Sequence, residues 1–224
     1  MKTDLFPLIL SFKVALGATL MSILLGIPVA YFLSKRKNAI TDIFDSLSNL
    51  PVILPPTVLG YYLLVSLGRQ SMIGKFLEDH FDLMIVFTPK GAVIASSIVS
   101  IPYLIKAAKV AFSGIDQDLI NAARILGRNE FSIFITVILP LSWRGIIAGI
   151  SMSFARAIGD FGATLMVAGS IPGKTVTMSI AIYNSMQSGD TVTANFLVGV
   201  MTFFAVITLF IINRLDKNKR KIDA

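Results

Sequence analysis

The sequence contains no cysteine and only one histidine, His80. The lack of cysteine excludes a disulfide framework, a thiolate metal site and a cysteine nucleophile. A single histidine leaves little room for metal binding or for general-base catalysis. The sequence also lacks a Walker-type phosphate loop and a dinucleotide-binding glycine fingerprint. We therefore predict no catalytic residue, no cofactor and no metal site, and we disfavour a membrane-embedded enzyme.

Charged residues are scarce as well. Only 15% of the 224 residues are charged, 54% are hydrophobic and the mean hydropathy is +0.77. This composition excludes a soluble domain and predicts an integral membrane protein. The net charge of +7 is compatible with nucleic-acid binding, but the sequence has no basic stripe interleaved with aromatic residues. Membrane proteins need basic loops in any case, so we predict contact with the lipid bilayer and no contact with nucleic acid.

Five apolar runs predict the spans of an all-α integral membrane protein. About 20 apolar residues cross a hydrocarbon core of ~30 Å as a helix. The first run is followed by Lys35, Arg36 and Lys37 and by no small-residue cleavage site, so we interpret it as a retained span rather than a signal peptide. Residues 38–49 are a predicted polar connector, and residues 69–90 are a predicted solvated loop with room for a short helix. We predict a single transmembrane domain, residues 1–224, with spans at about 8–33, 50–68, 91–112, 144–169 and 191–213.

The distribution of basic residues predicts the orientation of these spans. Cytoplasmic loops of membrane proteins carry an excess of lysine and arginine. With five spans, twelve basic residues of the loops and tail fall on one side and five on the other. The side with twelve should be cytoplasmic, which puts the N-terminus outside and the C-terminus inside. The polar segment between residues 116 and 140 then faces the cytoplasm.

That segment, Asp116–Pro140, predicts two short helices joined by a tight turn, and we call it the elbow. Asp116 is a suitable N-cap for a helix over residues 117–126, and Gly127 can adopt the left-handed conformation that ends a helix. A second helix is expected over residues 129–138. Ala122 and Ala123 leave one face without bulk, which suits close packing of another helix or of another protein. The elbow is therefore either a plain connector or a contact site.

Two further segments have unusual residues at membrane depth. Pro51, Pro55 and Pro56 cannot continue a regular helix, so the second span should begin near Pro56 and end near Leu67. The prolines either begin a helix or leave unwound backbone along a path. Farther on, Arg156 and Asp160 have the spacing of an ion pair on one helical face. This pair either locks its helix to the neighbouring helices or gives positive potential to the route of an anion.

The elbow resembles a known motif. Asn121-Ala-Ala-x3-Gly127, nine residues and Val137-Ile-Leu-Pro140 resemble the EAA loop, E-A-A-x3-G-x9-I-x-L-P, of permease subunits in bacterial ABC importers. The sequence departs from this pattern at Asn121 and Val137. The segments 50–61, 155–164 and 171–175 are similar to those of molybdate permease subunits. Permeases for tungstate and for sulfate or thiosulfate are close relatives with the same elbow.

The resemblance implies a fold like that of type I ABC importer permeases, in a bacterial cell membrane. It also implies a homodimer of permeases, two copies of an ATP-binding subunit that hydrolyses ATP, and an extracytoplasmic substrate-binding protein. The chain would be a multi-pass transporter subunit, not an enzyme, and would translocate molybdate. The alternatives are the same machine for tungstate or for sulfate or thiosulfate, and an ATP-independent anion carrier or channel.

In such importers the elbow packs into a cleft of the ATP-binding subunit. Our candidate residues for this coupling contact are Asp116, Leu119, Ile120, Asn121, Ala122, Ala123, Arg124, Leu126, Gly127, Arg128, Leu139 and Pro140. Leu119, Ile120, Ile125 and Leu126 are expected to add apolar contact. Arg124 or Arg128 is expected to add a charge at the rim. The candidate residues of the translocation path are Pro51, Pro55, Pro56, Thr57, Gly60, Arg156, Asp160 and Thr164.

Overall fold

The computed structural model describes residues 5–35 and 38–220, with side chains up to residue 210. The regular secondary structure of these residues is all helical. Its α-helices are α1 Phe6–Lys35, α2 Ala39–Ile53, α3 Pro56–Leu67, α4 Met72–Phe81, α5 Pro89–Ser113, α6 Gln117–Ile125, α7 Glu130–Ile133, α8 Leu139–Ile158, α9 Gly162–Ala168, α10 Met178–Gln187 and α11 Thr191–Arg220. A π-helical turn, Phe134–Ile138, joins α7 to α8.

Four stretches are long and apolar enough to cross a membrane: Phe6–Lys35, Pro89–Ser113, Glu130–Ile158 and Thr191–Phe210. A fifth crossing is possible through α2 and α3, which are bent by 110° at the break between them. This confirms the prediction of an all-α membrane protein with about five spans. Lys2, Arg36, Lys37 and Lys221, on which the orientation prediction partly rests, lie outside the described residues.

Small residues hold the central helices together. Helix α5 packs against α1 and against α8, and these two helices also contact each other. A Cβ atom added to Gly145 of α8 would lie 2.5 Å from the Cβ of Ala111 in α5. Buried serines add polar contact, such as that between the Oγ atoms of Ser22 and Ser100 at 3.3 Å. Small side chains let helices approach closely in a membrane, where burial of apolar surface does not itself drive helix association.

The structure corrects the prediction that residues 38–49 are a connector. They form most of α2, which begins after the N-cap Asn38. Asn38 and Thr41 make a capping box: the Thr41 amide donates to Asn38 Oδ1 at 2.9 Å, and the Asn38 amide donates to Thr41 Oγ1 at 3.0 Å. Pro51 lies in the last turn of α2, and only Leu54 and Pro55 separate α2 from α3. Helix α3 has the bounds that the prolines predict, Pro56–Leu67.

The predicted span at 144–169 is not one helix. Helix α8 ends at Ile158, and α9 begins at Gly162 after a short break. At its other end the helix begins earlier than expected. Helix α7, the π-helical turn and α8 follow one another without a break from Glu130 to Ile158. The elbow therefore has one separate helix, α6, and not two. A proline clashes with the carbonyl group four residues before it, and the wider π-helical turn before Pro140 accommodates the ring.

Candidate functional site

The helix α6 of the elbow is closed at both ends by hydrogen bonds. Asp116 Oδ1 accepts from the amide of Asp118 at 2.9 Å. At the other end Gly127 has a φ of +79°. The Gly127 amide donates to the Arg124 carbonyl at 2.9 Å, and the Arg128 amide donates to the Ala123 carbonyl at 3.1 Å. These two bonds are those of a Schellman motif, which needs a left-handed residue at the glycine position.

The apolar residues of α6 divide into two faces. Ile120 and Ala123 are buried in a cluster with Leu33 of α1 and Phe112 of α5. Both side chains attach α6 to the rest of the chain, and their predicted contact with a partner remains a prediction. The outward-facing residues are Leu119, Ala122, Ile125 and Leu126. Ile125 is 86% exposed and Leu126 82% exposed, which is unusual for side chains of this size outside a lipid-facing surface.

Phe131 of α7 adds to this exposed apolar surface, since 76% of it is accessible. The sequence did not identify Phe131 as a contact residue, because position 131 falls in the x9 part of the motif, where no residue type is specified. The signal that points to it is a large aromatic residue in the first turn of a helix that follows a polar turn. Leu119, Ala122, Ile125, Leu126 and Phe131 are hereafter called the elbow surface. Leu139 and Pro140 lie apart from it, within the long helix, where Leu139 packs against the apolar cluster.

Both arginines of the elbow have partners within the chain. Arg124 Nε lies 2.7 Å from Glu130 Oε1, and its Nη1 donates to Asn121 Oδ1 at 3.0 Å. The hydrogen bonding of Arg124 with Glu130 raises the pKa of Arg124 above its ordinary value. Arg128 Nη1 donates to Ser132 Oγ at 3.2 Å. Asn121, which replaces the glutamate of the motif, is therefore a hydrogen-bond acceptor for Arg124.

Glu130 also pairs with Lys35, the last residue of α1, at 2.7 Å between Oε2 and Nζ. The three charged residues lie beside a cavity of about 530 Å³ between the ends of α1 and α5, helix α6 and α7. Sequence reasoning did not single out Glu130 or Lys35 as a pair, because 95 residues separate them along the chain.

The second candidate region lies around Asp160, which is 2% exposed. Its Oδ2 accepts from the Thr164 amide at 3.0 Å and from Thr164 Oγ1 at 2.7 Å, so Asp160 caps the first turn of α9. Thr164 Oγ1 in turn lies 3.0 Å from Ser96 Oγ of α5. Arg156 Nη1 lies 3.4 Å from Asp160 Oδ1. The predicted ion pair is present, although Asp160 lies beyond the end of α8 and not on one helical face with Arg156.

The structure brings most of the candidate path residues together. Helix α3 packs against α9, and a Cβ atom added to Gly60 would lie 2.6 Å from Met166 Cβ and 3.0 Å from Ala163 Cα. A Cβ atom added to Gly162 would lie 3.2 Å from Pro56 Cβ and from Thr57 Cγ2. Pro51, in α2, is outside this contact, and Pro55 is exposed in the break between α2 and α3.

Residues 22–221 match a family described as "Binding-protein-dependent transport system inner membrane component". The chain belongs to this family. It is therefore a multi-pass membrane subunit of a transport system and not an enzyme. Among curated relatives, the molybdenum transport system permease protein ModB of Escherichia coli K12 is 41% identical over 80% of this chain and 79% of its own length. ModB of Azotobacter vinelandii is 32% identical over 92% of each chain.

Two other comparisons bear on this family member. A relative in Prototheca wickerhamii, named as a probable sulfate transport system permease protein, cysT, is 30% identical over 90% of this chain and 78% of its own length. An inward-facing structure of the MetNI methionine ABC transporter has a TM-score of 0.71 at 15% identity, over 99% of this chain and 97% of the other. At this identity the structural similarity supports the fold alone.

Proposed function

We propose that the chain is the permease subunit of an ATP-driven importer that translocates molybdate delivered by an extracytoplasmic binding protein. The observation that carries this proposal is the identity to ModB proteins over most of both chains. The family description supports dependence on a binding protein. The match to the MetNI fold, which covers almost the whole chain, supports a single transmembrane domain, residues 1–224.

We propose that two copies of this chain assemble with two ATP-binding subunits, and that the elbow packs into a cleft of each ATP-binding subunit. The elbow surface supplies the apolar contact, because its side chains are exposed and most of them lie on a short helix that is capped at both ends. Ile120 and Ala123 act indirectly by holding α6 on the chain. Asp116 and Gly127 set the two ends of the helix.

We propose an orientation with the N-terminus outside and the elbow and C-terminus in the cytoplasm. The excess of basic residues supports this orientation. Lys35, Lys109 and Arg124 all lie at the elbow end of the bundle, where α1 and α5 end. An ATP-binding subunit is cytoplasmic, so the elbow must be on that side for coupling to occur.

For the translocation path we propose different roles for the two members of the buried ion pair. The bonds that Asp160 accepts from Thr164 favour the structural alternative for the aspartate. Arg156 keeps 24% of its side chain accessible and is our candidate for lending positive potential to the anion route. Thr57 and Pro55 are exposed near the same contact of α3 with α9 and are further candidates for lining the route.

ATP-dependent uptake of labelled molybdate tests the proposal directly. Vesicles would contain this chain with its ATP-binding subunit and would be supplied with the binding protein. We expect uptake only with ATP, competition by tungstate, and little competition by sulfate. Sulfate that competes as well as molybdate would overturn the substrate assignment in favour of the activity for which the Prototheca relative is named. Anion movement through the purified chain alone in liposomes would instead indicate a carrier or channel.

A further inference from the structure

The exposed helix α6 has few attachments to the rest of the chain. Two apolar side chains, Ile120 and Ala123, pack inward from it. On the side of α6 that faces the end of α1, the cavity of about 530 Å³ interrupts apolar packing. The apolar cluster already links α6 to Leu33 of α1, and a polar contact across the cavity would add a second link between these helices. The charged residues Lys35, Arg124 and Glu130 line that cavity.

Glu130 makes this connection with both of its carboxylate oxygens. Oε1 accepts from Arg124 Nε of α6 at 2.7 Å, and Oε2 accepts from Lys35 Nζ of α1 at 2.7 Å. One carboxylate thus joins the helix that carries most of the elbow surface to a span of 30 residues. Glu130 itself lies in the first turn of α7, where the positive end of the helix dipole stabilises its charge.

Lys35 is itself held in place by aromatic packing. Its Nζ lies 4.4 Å from the centroid of the Tyr31 ring, a cation–π arrangement. The Tyr31 ring packs against Phe134 with a centroid separation of 4.5 Å, and against Phe112 of α5 at 5.9 Å. Lys35 is therefore linked through the Tyr31 ring to Phe134 and to Phe112 of α5.

Glu130 lies outside the positions that the motif specifies, and the glutamate of the motif is Asn121 in this chain. We propose that Glu130 is a positioning residue that fixes the coupling helix α6 relative to the cytoplasmic end of α1. The consequence is that movement of the ATP-binding subunit reaches α1 through Glu130, and this consequence rests on the proposed function. The carboxylate is half exposed, so the pair contributes little to overall stability and its removal should leave the fold intact.

The first test measures position and does not depend on transport. Because the chain has no cysteine, spin labels can be attached at Ile125→Cys in α6 and Phe32→Cys in α1 of the full chain in lipid nanodiscs. We expect Glu130→Gln to broaden or shift the distance distribution between the labels. Glu78→Gln is the matched control, since it breaks a similar exposed pair with Arg69 at the opposite end of α5. An unchanged distribution in Glu130→Gln would overturn the inference.

The second test measures coupling in the reconstituted complex with its ATP-binding subunit and binding protein. We expect Glu130→Gln to lower the molybdate transported per ATP hydrolysed roughly tenfold, a typical size for a lost coupling interaction. Glu130→Asp, which keeps the charge, should restore part of this ratio, and Glu78→Gln should keep it. A wild-type ratio in Glu130→Gln would contradict the inference. Absence of ATP-dependent uptake in the wild-type complex would instead contradict the proposed function, and the distance measurement would still decide the role of Glu130.

Discussion

The elbow and the contact between α3 and α9 use the same kinds of residue in opposite surroundings. Each has a glycine at a critical position and an arginine paired with a carboxylate. In the elbow the glycine, Gly127, has no atom within 4 Å of an added Cβ and needs its positive φ. In the α3–α9 contact, Gly60 has an ordinary φ but has no room for a side chain. The comparison shows that a glycine is needed for its backbone conformation at the exposed site and for its small size at the buried site.

The carboxylates differ in the same way. Asp160 is buried and its hydrogen bonds hold the start of α9. Glu130 is half exposed and joins helices that are far apart in the sequence. A buried charge that loses its partner is strongly destabilising, whereas an exposed ion pair contributes little to stability. We therefore expect substitutions in the α3–α9 region to affect stability and substitutions in the elbow to affect coupling.

The largest effect on stability is expected for Asp160→Ala. The substitution removes the acceptor of the Thr164 amide and hydroxyl and the partner of Arg156, whose side chain is only 24% accessible. We expect a loss of about 3 kcal/mol, in the range for removal of one partner of a buried pair. Thermal unfolding of the chain in detergent measures it. Asp160→Asn keeps an acceptor oxygen and should lose less, and equal losses for the two variants would contradict the capping role.

A smaller loss is expected for Gly60→Ala. The added Cβ would lie 2.6 Å from Met166 Cβ and 3.0 Å from Ala163 Cα, so α3 and α9 must separate. Overpacking of this kind costs about 2 kcal/mol. Gly199→Ala in α11 is the matched control, because a Cβ atom there meets nothing within 4 Å. If both variants unfold at the wild-type temperature, close packing at Gly60 is not needed for stability.

Gly127→Ala should cost about 1 kcal/mol, the penalty for a left-handed alanine. The added methyl group meets no neighbour, so the cost is one of backbone conformation alone. Gly127→Asn should be milder, since asparagine adopts this conformation more readily. Unfolding temperatures of the two variants give the order. Gly127→Val should in addition reduce co-purification with the ATP-binding subunit, because a bulky residue would disturb the elbow at the proposed contact. Normal co-purification and uptake would argue against that contact.

The smallest effect on stability is expected for Glu130→Gln. The pair with Arg124 and Lys35 is accessible to water, which screens it, so we expect no measurable change in unfolding temperature. The same variant is expected to have the largest effect on coupling. A loss of stability as large as that of Asp160→Ala would remove the difference between the two regions.

Hydrophobic patterning predicted the number of spans, but two boundaries were wrong for identifiable reasons. Residues 38–49 look polar because of Asp42 and Asp45, yet Asn38 begins a helix there with a capping box. Asp45 is used in an ion pair with Lys109 of α5, at 3.0 Å, which patterning cannot anticipate. The break between α8 and α9 falls at Gly159, Asp160 and Phe161. The glycines beside Asp160 favour either close packing or a bend, and hydropathy does not end the span there, because the apolar run continues on both sides of this one charge.

The candidate sites were predicted unevenly. Asp116 and Gly127 were identified from local rules, because capping depends on a few neighbouring residues. Which side chains of α6 face outward was not predictable, since Ile120 and Leu119 are equally apolar and only the position of α1 and α5 distinguishes them. Phe131 and Glu130 were missed because the motif leaves their positions unspecified.

The sequence by itself determined that this chain crosses a membrane, that its elbow contains a capped short helix, and which family it resembles. These features depend on composition, on local capping chemistry and on residue spacing, all of which are properties of neighbouring residues. Only the tertiary structure decided that Glu130 pairs with Lys35, that Thr164 contacts Ser96, and that Met166 occupies the space beside Gly60. Those contacts join residues far apart in the chain, and they form only when helix packing brings the residues together.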